Sequence, residues 1–329
     1  MNNLKDIINK IINKPETYSL ESDPFDAYLE KHGMSSNPFT DKIIDNRMYI
    51  NKDEKVCKRI MRALRHNQSS LMILTGPTGS GKSEVADFIV RMLPEKYVFW
   101  YNQICGQTSS QLAASIINDL DSDYMSRLNE NDMKRIIDIY GEVLNAFLKH
   151  GKKLFCIFDQ GEHFSKDGFE LVINSTNPHY IDQRAFTGLI LAVPRFEKHM
   201  DKWIEEYDTT LKRELIREYV KPFTCAQSLE YIVRGLAVSR KENFRDLMEK
   251  QDFGPFDNDA IMSLIKRGEG HPDTLCSLCY LSLEIAAISS SDTLVTEEIT
   301  KEAWEKFPNK ELHKEAVAWY KTKELYTEG

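Results

Sequence analysis

No stretch of this chain approaches the roughly 18 consecutive apolar residues that a membrane-spanning helix needs. The opening residues, MNNLKDIINKIINK, thread charges through their apolar positions. That pattern excludes a secretory signal peptide and leaves a short amphipathic helix. Cysteine is scarce, with six in 329 residues, which excludes a disulfide scaffold. The one close pair, Cys276 and Cys279 in LCSLCYL, lacks the second pair that a zinc site requires, so both read as small apolar residues on a helix. An excess of basic charge is also missing. The formal net charge is −8, which excludes a free-standing duplex-binding module and confines any nucleic-acid contact to a local patch or an assembled surface. Internal repeats and low-complexity tracts are absent too. What remains is a soluble intracellular protein, expected in a reducing cytoplasm (nucleoid-associated in a bacterium, nuclear in a eukaryote). Its 41% hydrophobic content suffices for one large core or two modest ones.

Apolar runs ending in turn residues predict strands at 70–76, 97–103, 153–160 and 186–193, with a short fifth within 213–223. Helical periodicity lies between them at 51–66, 83–93, 109–120 and 130–151. Strands alternating with helices predict an α/β fold, a parallel sheet sandwiched by helices. After Pro222 the pattern turns wholly helical, at 224–242, 257–270, 272–289 and 296–307. The expected organisation is an N-terminal segment at 1–45, a nucleotide-binding α/β domain at 46–223, a small all-α lid at 224–307 and a charged, fraying tail at 308–329.

The segment GPTGSGKS, Gly76 to Ser83, fits G-x-x-x-x-G-K-[ST] in full and sits between a predicted strand and a predicted helix. Gly76, Gly79 and Gly81 allow the chain to curl so that successive backbone N–H groups face one point. Pro77, Thr78 and Ser80 complete the loop. Lys82 is expected on the β- and γ-phosphates of ATP or ADP and the Ser83 hydroxyl on Mg²⁺, with Glu84 beside them in the first helical turn.

FCIFDQGEHF, residues 155 to 164, drives four apolar residues into Asp159. A neighbouring strand ending in a carboxylate is the second requirement of such a site, and Asp159 is expected to help hold the magnesium. The residue after it is Gln160, where nucleotide hydrolases of this build place Glu. Glutamine orients a water by hydrogen bonds but takes no proton. Two readings stand: Glu162 replaces the missing base, or hydrolysis is slow and the ATP state long-lived.

Read with the segments NPFTDKIIDNRMYINKDEKVCKRIMRAL, LKRELIREYVKPFTCAQSLEYIVRGLA and GEGHPDTLCSLCYLSLEIAA, these motifs resemble the AAA+ P-loop ATPases. The nearest likeness is to the branch that holds the origin-recognition initiators and the TniB/ExeA-type ATPases, over roughly residues 36 to 305. The resemblance implies that Arg213 reaches a neighbouring subunit's nucleotide, with Arg217 as the second candidate. It implies that Asn102 restrains the catalytic carboxylate, and it sets a sensor position near Val193–Pro194–Arg195. It places Asp273 where the family's lid shows arginine, so that Arg267 or His271 is left to contact nucleotide. The chain also ends too soon for the family's C-terminal winged helix. Two lost charged groups imply binding kept and turnover weakened. The function expected is an ATP-binding oligomeric switch or remodeller acting on a partner protein or DNA. The alternatives are a nucleotide-gated scaffold that recruits an effector such as a nuclease or transposase, and a P-loop kinase.

Overall fold

The computed structural model describes residues 23–40, 46–66, 71–103, 106–176, 185–207 and 215–326. The described chain enters with α1 (Pro24–Lys31), capped by the Asp23 side chain, and reaches α2 (Glu54–His66). Five parallel strands follow: β1 (Leu71–Thr75), β2 (Tyr97–Gln103), β3 (Lys153–Asp159), β4 (Phe186–Ala192) and β5 (Ile216–Tyr219). Their spatial order is β2-β3-β4-β1-β5. β1 and β4 are buried at every residue and β3 at all but its first, because helices cover both faces and leave no solvent side for polar alternation.

Strand periodicity divides the core into two layers. Met72, Leu74, Phe155 and Ile157 point toward α2 and α3 (Lys82–Arg91). Ile73, Leu154, Cys156 and Phe158 point the other way, toward α4 (Ser109–Leu120), α5 (Ile136–Lys149), α6 (Lys166–Thr176) and α7 (Glu197–Tyr207). Phe158 is fully buried among Trp100, Phe164 and Phe186, a position where truncation to Ala costs roughly 3–5 kcal/mol.

Thr224 opens the helical region with a capping box closed by Gln227. α8 (Cys225–Arg240), α9 (Phe244–Lys250), α10 (Asn258–Gly268), α11 (Pro272–Ser289) and α12 (Glu297–Lys306) follow. Cys276 and Cys279 are buried apolar residues of α11. Among the described residues no group of His, Cys, Asp and Glu is placed to hold a metal, and no helix is long and apolar enough to cross a membrane.

Three sequence expectations need correction, and β2 adds a fourth finding. The helix expected over 130–151 is two: Glu130–Lys134, closed by an Asn129–Asp132 capping box, and α5, separated at Arg135 by a non-helical backbone. The stretch after 308 does not fray where it is described. It forms α13 (Lys310–Thr322), anchored by buried His313, Ala316, Val317 and Tyr320. Residues of the N-terminal segment do not stand apart, since Tyr28, Leu29, Met34 and Phe39 share one core with α8, α10 and α11. The aromatics of β2 are only half core: Tyr97 and Trp100 are buried, whereas Phe99 and Tyr101 are exposed, because β2 is an edge strand.

Candidate functional site

Strand order decides where the site lies. β1 is inserted between β4 and β5, so its C-terminal end opens at a crevice where the order reverses. The loop Gly76–Ser83 fills that crevice and is tied to β4 by the Gly76 N–H donating to the Ala192 carbonyl at 3.1 Å. Gly79 (φ +75°) and Gly81 (φ +87°) take the left-handed backbone that the curl requires. A Cβ at Gly79 would also lie 2.3 Å from Cβ of Asp273, so no side chain fits there. α3 starts directly after Gly81 with no side chain capping it. Its first N–H groups are therefore left for an anion.

Lys82 donates to the carbonyls of Gly76 and Pro77, each at 2.9 Å. Burial pushes its pKa down to about 8, while the carboxylates of Glu162 and Asp159 pull the other way. The Ser83 hydroxyl donates to Asp159 Oδ2 at 3.2 Å, and the Tyr101 hydroxyl donates to the same oxygen at 2.5 Å. The other Asp159 oxygen accepts the Gln160 N–H at 2.8 Å. Lys82, Ser83, Asp159 and Gln160 border a cavity of about 480 Å³. Thr78, Gly79, Gly81, Lys82, Ser83 and Glu84 line it from the loop and helix start and Asp159, Gln160, Glu162 and His163 from the end of β3, while Gly76, Pro77 and Ser80 do not line it. The far end is apolar and aromatic, with Tyr49, Ile50, Phe223 and Tyr231. Tyr49 is held there by stacking on Phe88 at 5.4 Å.

Gln160 adopts φ 55°, ψ 48°, a left-handed backbone that side chains other than Gly and Asn rarely take. It turns the chain sharply after β3 and swings Glu162 back to the cavity. One carboxylate oxygen of Glu162 is buried there with no hydrogen-bond partner. The turn is tight because Gly161 packs on β4, where a Cβ would meet Ile190 Cγ2 at 2.5 Å.

Residues 65–199 match the family model of the AAA domain. The fold is that of a P-loop NTPase, and it is found in solved origin-recognition proteins. The ORC2 protein of Aeropyrum pernix, in its ADPNP–ADP complexes, aligns with a TM-score of 0.55 at 12% identity, over 82% of this chain and 70% of that one. Cdc6p of Pyrobaculum aerophilum aligns with a TM-score of 0.56 at 14% identity, over 78% and 67%. The Drosophila ORC bound to DNA aligns with a TM-score of 0.52 at 12% identity, over 92% and 73%. At these identities the likeness is one of fold. No curated protein matches the sequence.

Against the AAA pattern the remaining site residues fall unevenly. Arg213 lies outside the described residues. Arg217, on β5, pairs with Asp201 on α7 and does not line the cavity. Asn102 does not restrain Glu162; its amide reaches Ser115 on α4 at 3.5 Å. The neighbouring Tyr101 instead donates to Asp159. Arg195 is exposed on a 3-10 turn outside the cavity. Arg267 donates to Ser263 at 3.2 Å, His271 meets the carbonyl of Thr78, and neither lines the cavity. Asp273 is not turned away. It packs on Gly79 and lines the cavity.

Sequence reasoning missed Lys52, Asp53 and Tyr101. Lys52 is buried in the cavity wall, paired with Asp53 at 2.7 Å and donating to the Lys221 carbonyl at 2.5 Å. Burial lowers its pKa and Asp53 opposes that shift. Nothing in the string NKDEKV distinguishes this lysine from a solvated one, because its partner strand lies some 170 residues on.

Proposed function

We propose that the chain binds ATP and ADP with magnesium and works as a nucleotide-gated AAA+ switch whose hydrolysis is slow. The observation that carries this is the cradle itself. Uncapped amides of α3, Lys82 held between two loop carbonyls and the Ser83–Asp159 pair converge on a nucleotide-sized cavity. Ser83 and Asp159 offer hard oxygen donors that suit magnesium, which when bound neutralises phosphate charge. The aromatic end suits a purine base.

Glu162 is the base available to this site. A buried carboxylate oxygen without a donor is poised to accept a proton from water, and Gln160 orients that water by its amide. Asp273, an acid against the phosphate loop, opposes charge gathered on the γ-phosphate and slows turnover. ATP would close subunits over one another, with Arg213 reaching a neighbour's nucleotide, and hydrolysis would release them. The resemblance to the initiators and to TniB/ExeA-type ATPases supports work on a partner protein or on DNA held without sequence reading. The runner-up is a scaffold that hardly hydrolyses ATP, which Gln160 and Asp273 together favour.

Single-turnover hydrolysis of Gln160→Glu, with sizing chromatography in ATP, tests the reading. A large gain in rate, with assemblies that form on ATP and disperse on ADP, is expected. Failure of the wild-type protein to bind ATP or ADP in magnesium would overturn it.

A further inference from the structure

Two buried histidines lie just outside the cavity and join the phosphate loop to the last described helix. His271 caps α11: its Nδ1 accepts the Thr274 N–H at 3.4 Å, and its Nε2 lies 2.9 Å from the Thr78 carbonyl. A carbonyl only accepts, so Nε2 carries the proton and Nδ1 does not. Nδ1 is also 3.0 Å from the Thr274 hydroxyl, which lies 3.0 Å from Nδ1 of His313 on α13. His313 Nε2 is 3.3 Å from the Glu269 carboxylate.

The chain of contacts runs from a pure acceptor, Thr78 O, to another, Glu269. Four links need four protons, and two neutral imidazoles with one hydroxyl supply three. In the neutral state one link must set lone pair against lone pair. With His271 fixed as above, the missing proton belongs on His313, between the hydroxyl and the carboxylate.

This link bears on the phosphates through peptide geometry. A trans peptide sets C=O and the next N–H on opposite sides. Holding the Thr78 carbonyl toward α11 therefore aims the Gly79 N–H the other way. Gly79 borders the cavity and His271 does not. We propose that His271, Thr274 and His313 form a proton-accepting relay that positions the Gly79 amide for a nucleotide's phosphates, so that nucleotide binding takes up a proton at His313. This rests on the nucleotide-binding reading given above.

The charges around the relay set its direction. Burial first, then His313, pushes the His271 pKa down to about 4; the Thr78 carbonyl opposes that shift, and Lys52 and Lys82 on the loop side add to it. His313 is lowered by burial and raised by Glu269. Lys321 approaches that carboxylate at 4.0 Å, and the Trp304 and Tyr320 rings complete the surroundings. A polyphosphate held by the Gly79 amide favours the completed chain of donors behind that amide and so the added proton on His313. Acid should tighten nucleotide binding, and by linkage nucleotide should raise the His313 titration midpoint.

MgADP binding, measured by calorimetry between pH 5.5 and 7 in buffers of different ionisation heat, counts the protons taken up. Wild type should take up more than Thr274→Val and should tighten by up to about threefold more in all on acidification, the equivalent of half a pKa unit. His313→Gln carries two amide donors without ionising. It should hold the tight affinity across that range and show no relay uptake. Ring-carbon NMR of the wild-type protein supplies a check that needs no substitution: the His313 signal should titrate at least about half a unit higher with MgADP bound. Equal proton uptake in all three proteins, or an unmoved His313 midpoint, overturns the relay. A wild-type protein that binds no MgADP overturns the functional reading instead.

Discussion

Replacing Lys82 with methionine separates what this lysine does for function from what it does for the fold. In the nucleotide-free chain its ammonium is enclosed and its pKa is pushed from 10.5 to about 8, burial being the first cause. That difference means the charged form is disfavoured by about 3 kcal/mol, an upper bound that already includes its carbonyl bonds and the pull of Glu162 and Asp159. Met keeps the length and drops the charge. Lys82→Met should therefore make the nucleotide-free protein more stable at pH 7, by about 1–3 kcal/mol. The sign with pH follows from proton counting. Between about pH 8 and 10.5 the unfolded chain holds the Lys82 proton and the folded chain has lost it, so wild-type stability rises with pH there. The gap between variant and wild type should thus be widest below pH 8 and close above it. Urea unfolding at pH 7 and pH 9.5 measures both points. MgADP at one hundred times its dissociation constant should add about 2.7 kcal/mol to the wild type and nothing to the variant. A variant less stable than wild type by more than about 1 kcal/mol at pH 7 would refute the reasoning. Lys82 would then be a brace for the loop carbonyls, and its burial would cost the fold nothing.

Two smaller predictions follow from the same wall of the cavity. Tyr101→Phe removes a 2.5 Å hydrogen bond to a buried carboxylate and should lower stability by about 1–2 kcal/mol in urea; no loss would mean that Asp159 does not use this donor. Gln160→Gly relieves the left-handed backbone at the turn after β3 and should raise stability by up to about 1 kcal/mol. A loss on that substitution would show that the Gln160 side chain, and not the turn, is what matters.

The phosphate loop and the acidic strand were legible because each is a local pattern. A glycine spacing dictates a curl and a buried apolar run dictates a strand, whatever the rest of the chain does. The same holds for the starts of α8 and α11, expected at Thr224 and Pro272 from signals within a few residues, although the caps there belong to the structure. The break at Arg135 was not legible, since the apolar spacing runs on through it. Helix α13 was not legible either. Its sequence is highly charged, and only the buried face of His313, Val317 and Tyr320 reveals that it packs.

Sequence alone determined a glycine-rich loop leading into a helix and an acidic strand end, with Lys82, Ser83 and Asp159 on them and Gln160 following the aspartate. Tertiary structure decided everything that depends on distant segments meeting. It turned Glu162 back through the strained Gln160 backbone, put Tyr101 on Asp159 and left Asn102 against Ser115. It set Asp273 against Gly79 and threaded one hydrogen-bonded chain from Thr78 through Thr274 to His313. The reason is range. Curl, strand and cap are set by neighbours a few residues away, whereas a buried polar contact exists only once packing has excluded water from both partners.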